Sequence, residues 1–250
     1  MDPLKSVLFL YLQSKFLYIM KRFLVFTLVL TVNFAFAQSA SFSRSDFSNS
    51  DKLYASNGLW VTNQGATKKI KGSPYLFDSW DSNEAIIYMH DKAYKLKSLN
   101  YNVRLERFES KFAEDSVFAF NPKNINKIVI EGRTFKRYLD PEFQRNSFFE
   151  ELVRTKSTSI LRKYEIEIIE ANFNPMTQQK VSDDQMVKKE KYFYTEDGET
   201  LKEIKLKKSH ILKTLDANKR DSVKQYAKDN NLSFKDVIEL KNILQYYNTL

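Results

Sequence analysis

The sequence predicts an α+β fold that is mainly β: an antiparallel β meander, forming a curved sheet or partial barrel, followed by a C-terminal helical unit. From residue 59 onward, short apolar and aromatic runs are separated by Gly, Pro, Asn and Asp, which is typical of antiparallel strands. The runs recur every 8 to 12 residues or so without a long helix between them, and this favours a meander over a parallel α/β sheet. Near Leu201 a helical period replaces the period of two, which predicts helices after the sheet.

The N-terminal residues 1–37 predict a leader that contains a secretory signal peptide. A positive pair, Lys21 and Arg22, precedes the apolar run 23–32, and the small-residue ending 35–37 (Ala-Phe-Ala) matches a cleavage site. We expect translation to start at Met20 and cleavage to follow Ala37. An uncleaved membrane anchor is the alternative. Cleavage would place the mature protein outside the cytoplasm, in the periplasm or elsewhere in the cell envelope.

The rest of the chain divides into three predicted parts. Residues 38–56 are Ser-rich and without periodicity, which predicts a flexible linker. Residues 57–204 carry the strand pattern and predict the antiparallel β domain. Residues 205–250 predict basic helices that pack on the β domain, since their apolar residues fall on one face.

Two strands are predicted from strict alternation. In 101–105 the apolar positions are Tyr101, Val103 and Leu105, and in 164–168 they are Tyr164, Ile166 and Ile168. Each strand should therefore bury one face and expose the other. Further strands are predicted at 75–80, 85–89, 93–96, 117–120, 127–130, 134–138 and 191–194. The polar stretch 172–185, which contains Pro175, predicts a loop.

The last predicted helix has the clearest start signal. Ser233 and Asp236 resemble a capping box with Asp in place of Glu. We expect the apolar stripe that follows to dock on the protein itself. The stripe consists of Phe234, Val237, Ile238, Ile243, Leu244 and Tyr247. Two shorter apolar faces precede it, one with Leu206, Ile211, Leu212 and Leu215 and one with Val223, Tyr226 and Ala227.

Charge and cysteine content limit the functional classes. The chain has a formal net charge of +9 and no cysteine, so disulfides, thiol nucleophiles and lipid-carrying cysteines are excluded. Residues 201–250 hold eleven Lys and Arg against six Asp and Glu, which predicts possible contact with an anionic surface through the tail. No nucleic-acid motif is present, and we expect no nucleic-acid partner.

Histidine chemistry has little support. The two histidines are His90, beside Asp91 in a predicted turn, and His210 in the first tail helix. Neither G-x-S-x-G nor H-E-x-x-H occurs, so neither a serine hydrolase nor a zinc site is indicated. We predict no catalytic, cofactor-binding or metal-binding residues and no cofactor.

Carboxylates give the remaining candidates for chemistry. Glycosidases need two acids that converge in a cleft, and the visible pairs are Glu150 with Glu151, Asp183 with Asp184, and Glu165 with Glu167. We expect these acids to be solvated. The oxygen-rich turn made by Asp78, Asp81, Asn83 and Glu84 could hold calcium but lacks the EF-hand spacing.

Several segments together resemble an uncharacterised family of secreted, periplasmic proteins of Bacteroidota. They are Gly72-Ser73-Pro74-Tyr75-Leu76, Tyr101-Asn102, the strand around Phe135, Phe148-Phe149-Glu150-Glu151-Leu152 and Tyr246-Tyr247-Asn248. The resemblance covers most of the mature chain and implies an envelope location. It implies no activity and no functional residues.

Three functions are therefore expected, in this order. The first is a non-enzymatic binding or structural protein whose partner is an envelope protein, lipid or glycan. The second is a carrier that holds a lipid or other hydrophobic ligand in a sheet cavity capped by the helices. The third is a carboxylate-dependent glycan hydrolase.

Overall fold

The computed structural model describes residues 53–54, 57–62, 70–113, 116–155 and 158–250, and of Thr62 and residues 81–84 only the backbone is described. The predicted leader, 1–37, and the predicted linker up to residue 52 lie outside this part of the chain. Leu53, near the end of the predicted linker, is fully buried in the main core. Ordered packing therefore begins before residue 57.

Thirteen strands and three helices make up the described fold. The strands are β1 (Gly58–Thr62), β2 (Ile70–Lys71), β3 (Asp81–Met89), β4 (Lys92–Ser98), β5 (Asn100–Asn102), β6 (Arg107–Ala113), β7 (Ser116–Phe120), β8 (Ile125–Ile130), β9 (Arg133–Leu139), β10 (Asn146–Arg154), β11 (Ser159–Ile169), β12 (Asp184–Thr195) and β13 (Lys202–Glu203). The helices are α1 (Lys208–Lys213), α2 (Arg220–Asp229) and α3 (Val237–Thr249). Short 3-10 turns lie at Pro122–Asn124 and Ala217–Lys219.

The strands form two sheets. The larger has the order β13-β12-β11-β10-β9-β8-β3-β4, with β2 added in parallel to β12, and the smaller has the order β1-β7-β6-β5. Every other pairing is antiparallel, and strands β8 to β13 follow one another in the sheet as they do in the chain. This is the predicted meander. In the described residues the outer strands β13 and β4 do not pair with each other, so the large sheet is open and is not closed into a barrel.

The main core lies between the two sheets and is rich in aromatic rings. Phe108 of the small sheet contacts Phe135 and Phe148 of the large sheet, with ring centroids 5.5 and 5.0 Å apart. Tyr101 joins the same group, and all four side chains are at most 2% exposed. Aromatic pairs at these distances prefer edge-to-face geometry, which the two Phe108 contacts adopt.

The helical unit packs on the same face of the large sheet as the small sheet does, but further along the strands. Side chains alternate along β11, so Ile160, Arg162, Tyr164 and Ile166 share one face. Tyr164 and Ile166 belong to the main core, whereas Ile160 belongs to a second core with the helices. Arg162 lies between the two cores. The prediction of a helical unit after an antiparallel sheet is confirmed.

The second core is formed by the predicted apolar faces of the helices and by three sheet strands. Its helical members are Ile211, Leu212, Leu215, Val223, Ala227, Phe234, Leu240, Ile243, Leu244 and Tyr247, and its sheet members are Leu152, Val153 and Ile160, with Tyr192 and Tyr194 partly buried against them. Ile238 is an exception to the predicted stripe, because 72% of it is exposed. It lies on the side of α3 away from the sheet.

The start of α3 differs from the predicted capping box. Asp236, and not Ser233, is the N-cap, because its carboxylate accepts the N–H of Ile238 at 2.8 Å and of Glu239 at 3.0 Å. Glu239 in turn accepts the N–H of Ser233 at 2.6 Å. The box is therefore shifted by three residues, with the acid of the predicted box acting as the cap.

The predicted strands at 75–80 and 101–105 are not formed as expected. Tyr75 forms an isolated bridge with Asn102, and the N–H of Leu76 bonds the carbonyl of Tyr101. At Phe77, however, the side chain of Asn100 bonds both the backbone N–H and the carbonyl, so this segment does not continue as a regular strand. Strand β5 stops at Asn102, whose side-chain oxygen accepts the N–H of Leu105 and closes a turn. Tyr101 and Val103 are buried as predicted, but Asn102 is also buried and Leu105 is 54% exposed, so the predicted alternation fails at these two positions.

The hairpin of β11 and β12 is longer than predicted. β11 runs to Ile169 and β12 begins at Asp184, so part of the predicted 172–185 loop is strand, and Phe173 forms a bridge with Lys180 inside it. Ile168 was predicted to be buried but is 38% exposed. It lies at the end of β11 beyond Ile166, the last β11 side chain that packs against the main core.

Candidate functional site

The histidines lie apart from any cluster that could support catalysis. His90 is exposed in the tight turn between β3 and β4, with a φ of 51°, and Asp91 beside it is also exposed. His210 is exposed on α1. Within the described ranges, no group of three or more His, Asp or Glu side chains could hold a metal ion. In the predicted calcium turn, Asp78 is exposed, while the side chains of 81–84 lie outside the description.

Glu150 and Glu151 lie on opposite faces of the large sheet, because they are neighbours on β10. Glu150 faces the helical side and is 1% exposed, and Glu151 bonds Lys136 at 3.0 Å and the Tyr138 hydroxyl at 3.2 Å on the other face. Burial raises the pKa of Glu151, but Lys136 and Arg154 together bring it below the ordinary value. Two carboxylates on opposite faces do not converge on one substrate.

Glu150 is the centre of an ion cluster between the two cores. One carboxylate oxygen accepts from Arg133 at 2.8 Å, from Arg162 at 2.9 Å and from the Tyr164 hydroxyl at 2.6 Å. Burial raises the pKa of Glu150, but the hydrogen bonds and charges of these partners lower it to a net value below the ordinary one. The carboxylate is therefore held ionised. A general acid for glycoside cleavage needs the opposite shift.

The other predicted acid pairs are also engaged with lysines. Glu167 pairs with Lys189 at 3.1 Å, and Asp183 pairs with Lys71 at 3.7 Å. Asp184, which is 1% exposed, contacts Lys180 and accepts the N–H of residue 171. These contacts connect neighbouring parts of the β11–β12 hairpin and the adjoining β2, and the acids do not line a cavity that the structure describes.

Glu165 belongs to a cluster that sequence reasoning missed. Its carboxylate lies 3.1 Å from Lys163 and 3.1 Å from Lys191, on the sheet face away from the helices. Lys163 is 2% exposed and its Nζ lies 2.6 Å from Oδ2 of Asp140, which is fully buried. Burial raises the pKa of Asp140, but Lys163 and two backbone N–H groups bring it below the ordinary value. Only the register of β9, β10 and β11 brings these residues together.

A basic cavity lies in the helical unit. It has a volume of about 480 Å³ and its charged lining consists of Lys208, Lys224, Lys228 and Lys235, without an acid. Asn231, Leu232, Ser233, Ala227 and Phe234 complete the lining. Lys208 extends from α1, Lys224 and Lys228 extend from α2, and Lys235 lies in the turn before α3. The apolar faces of these helices are buried in the second core, so the fold holds the lysine backbones in place. The excess of basic residues after Leu201 was the sequence signal for this cavity.

A second cavity, of about 550 Å³, lies beside the turn between β9 and β10. Its lining mixes Tyr138, Leu139 and Leu201 with the amides of Gln144 and Asn146. One base, Arg137, and one acid, Glu199, also contribute. The charges are of both signs, so the cavity has no ionic preference comparable to that of the lysine-lined cavity.

The comparisons with known proteins give no relative. No family model matches the chain, and no curated protein or solved structure matches it significantly. Among the described residues, none of the helices has the length and apolar character required to cross a bilayer.

Proposed function

We propose that this protein is an exported, non-enzymatic binding module that attaches to an anionic lipid surface through its helical unit. The observation that carries the proposal is the cavity lined by four lysines and no acid. Its chemistry fits phosphate-bearing headgroups, because Lys ammonium groups act as point charges towards phosphate oxygens.

The charges of the cavity are largely unneutralised by the protein. Among the described residues, only Lys224 of the four lysines forms an ion pair, with Asp221 at 2.7 Å, and both partners are well exposed. Exposed pairs of this kind contribute little and exchange readily for other anions. The cavity therefore offers four positive charges to a ligand.

The lining also contains neutral donors. The amide of Asn231 and the hydroxyl of Ser233 lie among the lysines and can donate hydrogen bonds to phosphate oxygens. Glu239, which lies next to Ser233, accepts the backbone N–H of that residue. An anion would therefore meet donors from several directions.

Vesicle binding tests the proposal. The full chain is titrated with vesicles containing phosphatidylglycerol and with vesicles of phosphatidylcholine alone, at low and physiological ionic strength. We expect binding to the anionic vesicles only, weakening with salt. Each lysine near an anionic surface contributes about 1 kcal/mol, so the variant K224Q/K228Q/K235Q should bind about 100-fold more weakly.

A matched variant separates the cavity from net charge. K92Q/K95Q/K97Q removes the same charge from three exposed lysines of β4, and we expect it to retain binding to anionic vesicles. Equal losses in both variants, or equal binding to neutral vesicles, would contradict the proposal. Titration with inorganic phosphate distinguishes a headgroup site from a site for free phosphate. If the protein is saturated by a low concentration of phosphate and does not bind vesicles, the ligand of the cavity is the free anion.

Export rests on the leader sequence and is tested separately. We propose that residues 1–37 direct secretion into the cell envelope, in keeping with the resemblance to secreted Bacteroidota proteins. Expression of the full chain in a bacterial host should give a periplasmic product whose N-terminus, read by mass spectrometry, is Gln38. A cytoplasmic product that retains the leader would refute export.

The alternative functions have less support. The space between the sheet and the helices, where a hydrophobic ligand would be carried, is occupied by the packed side chains of the second core. The acid pairs that a glycan hydrolase would use are separated by the sheet or engaged with basic side chains. Neither alternative has an observation in its favour as direct as the lysine-lined cavity.

A further inference from the structure

Lys163, Asp140 and Glu165 form a triad whose geometry suits a covalent reaction, with Lys163 and Asp140 buried and Glu165 24% exposed. Lys163 Nζ lies 2.6 Å from Asp140 Oδ2 and 3.1 Å from Glu165 Oε1. Since Oδ2 is bonded to Cγ, the amine lies within about 3.9 Å of that carbon, close to the roughly 3–3.5 Å of a near-attack arrangement. An amine, a carboxyl carbon and a second carboxylate are the groups needed to form an amide.

The two groups that would react, Lys163 and Asp140, are shielded from water. Asp140 is fully buried and Lys163 is 2% exposed, and the ring of Phe143 lies 4.5 Å from Nζ. Leu161, two residues before Lys163 on the same face of β11, belongs to a buried apolar cluster. Lys163 and two backbone N–H groups hold the pKa of Asp140 below its ordinary value despite burial, so the reaction begins from the ion pair with the transfer of one proton from Lys163 to Asp140.

The carboxyl group of Asp140 is also oriented and polarised. Its Oδ1 accepts the backbone N–H of Glu142 at 2.8 Å and of Phe143 at 3.3 Å, while Oδ2 faces Lys163. Attack at Cγ would place negative charge on Oδ1, where two N–H donors already point. The oxygen that would leave is the one beside the amine.

We propose that Lys163 and Asp140 form an intramolecular isopeptide bond, with Glu165 as the proton carrier. The neutral amine of Lys163 attacks Cγ of the protonated Asp140 carboxyl, and the Nζ–Cγ bond forms. Glu165 takes a proton from Nζ and delivers it to Oδ2, the Cγ–Oδ2 bond breaks, and Oδ2 leaves as water. One amide and one water result, so no oxidant, reductant or cofactor is required.

The bond would cross-link the turn after β9 to β11, spanning β10 between them. The chain has no cysteine, so it has no disulfides, and this bond would be a covalent cross-link that does not depend on the redox state of the compartment. It is separate from the lysine-lined cavity, which lies in the helical unit, and its test does not depend on lipid binding.

Intact-mass measurement of the denatured full chain tests the proposal. We expect a mass lower by one water than the sequence requires, and a proteolytic fragment in which the peptides carrying Asp140 and Lys163 are joined. D140A should have the full mass, but it removes a buried charge partner and can fail to fold. E165Q keeps the ion pair of Asp140 and Lys163, so it should fold, retain its circular dichroism spectrum and have the full mass.

E167Q is the matched control, because Glu167 is an exposed acid two residues further along the same face of β11. It should be cross-linked to the same extent as the unaltered chain. A full mass for the unaltered chain would show a buried ion pair only and overturn the proposal. A loss of water that maps to other residues would overturn it as well, and equal cross-linking in E165Q would refute the role of Glu165.

Discussion

Replacing Glu150 by Gln tests whether the ion cluster between the two cores stabilises the fold. The change leaves Arg133 and Arg162 without their common carboxylate, and removing one partner of a buried charge pair typically costs about 3–5 kcal/mol. The two arginine side chains are 24% and 15% exposed, so water partly solvates them after the change. We therefore expect the free energy of unfolding to fall by about 2–3 kcal/mol.

Urea unfolding at two pH values provides the assay. The pKa of Glu150 is lowered in the folded state, so its contribution is complete above the ordinary carboxyl value of 4.5 and is lost as the pH falls through the folded-state pKa. The difference between E150Q and the unaltered protein should be full at neutral pH and shrink below pH 4.5. E167Q, which alters an exposed pair, is the control and should stay within about 0.5 kcal/mol. A loss for E150Q no larger than this would refute the reasoning.

Three further changes test the packing. G58A should destabilise the protein or prevent its folding, since the added Cβ would lie 2.2 Å from the carbonyl oxygen of Ala119. Thermal unfolding measures the effect, and an unchanged midpoint would contradict the β1–β7 register. In urea titrations, I243A should lower the free energy of unfolding by about 2–5 kcal/mol, because Ile243 is buried, and I238A should lower it by less than about 0.5 kcal/mol, because Ile238 is exposed. Equal losses would mean that α3 is rotated from the described orientation. D236A should cost about 1 kcal/mol through loss of the α3 cap, and no loss would favour a different helix start.

Patterns that are local in the sequence predicted much of the fold. Alternation placed Tyr164 correctly in the core, and the helical period found the buried faces of all three helices. One error arose where a polar side chain replaced a backbone partner: Asn100 makes the hydrogen bonds at Phe77 that a neighbouring strand would have made. Alternation is a local pattern and does not predict a hydrogen bond between residues 23 positions apart.

The candidate sites were harder to predict because they depend on register. Glu150 and Arg162 are 12 positions apart, and they meet only because β10 and β11 pair with these residues opposite each other. Lys163 meets Asp140 only when β9 also pairs with β10. The basic character of the cavity could be predicted, because the excess of positive charge in the tail is a property of composition. The cavity itself could not, because its lysines converge only when α1 and α2 fold on the sheet.

The order of the two cores along the chain has a consequence for folding during synthesis. Strands β10 to β12 are made before α1, α2 and α3, so the apolar side chains of the second core on the sheet have no cover until residues 208–250 emerge. At roughly 5–20 residues per second, this surface stays exposed for a few seconds. A nascent chain paused after β13 would carry a completed aromatic core at one end and an open apolar face at the other, which is the kind of surface that chaperones bind.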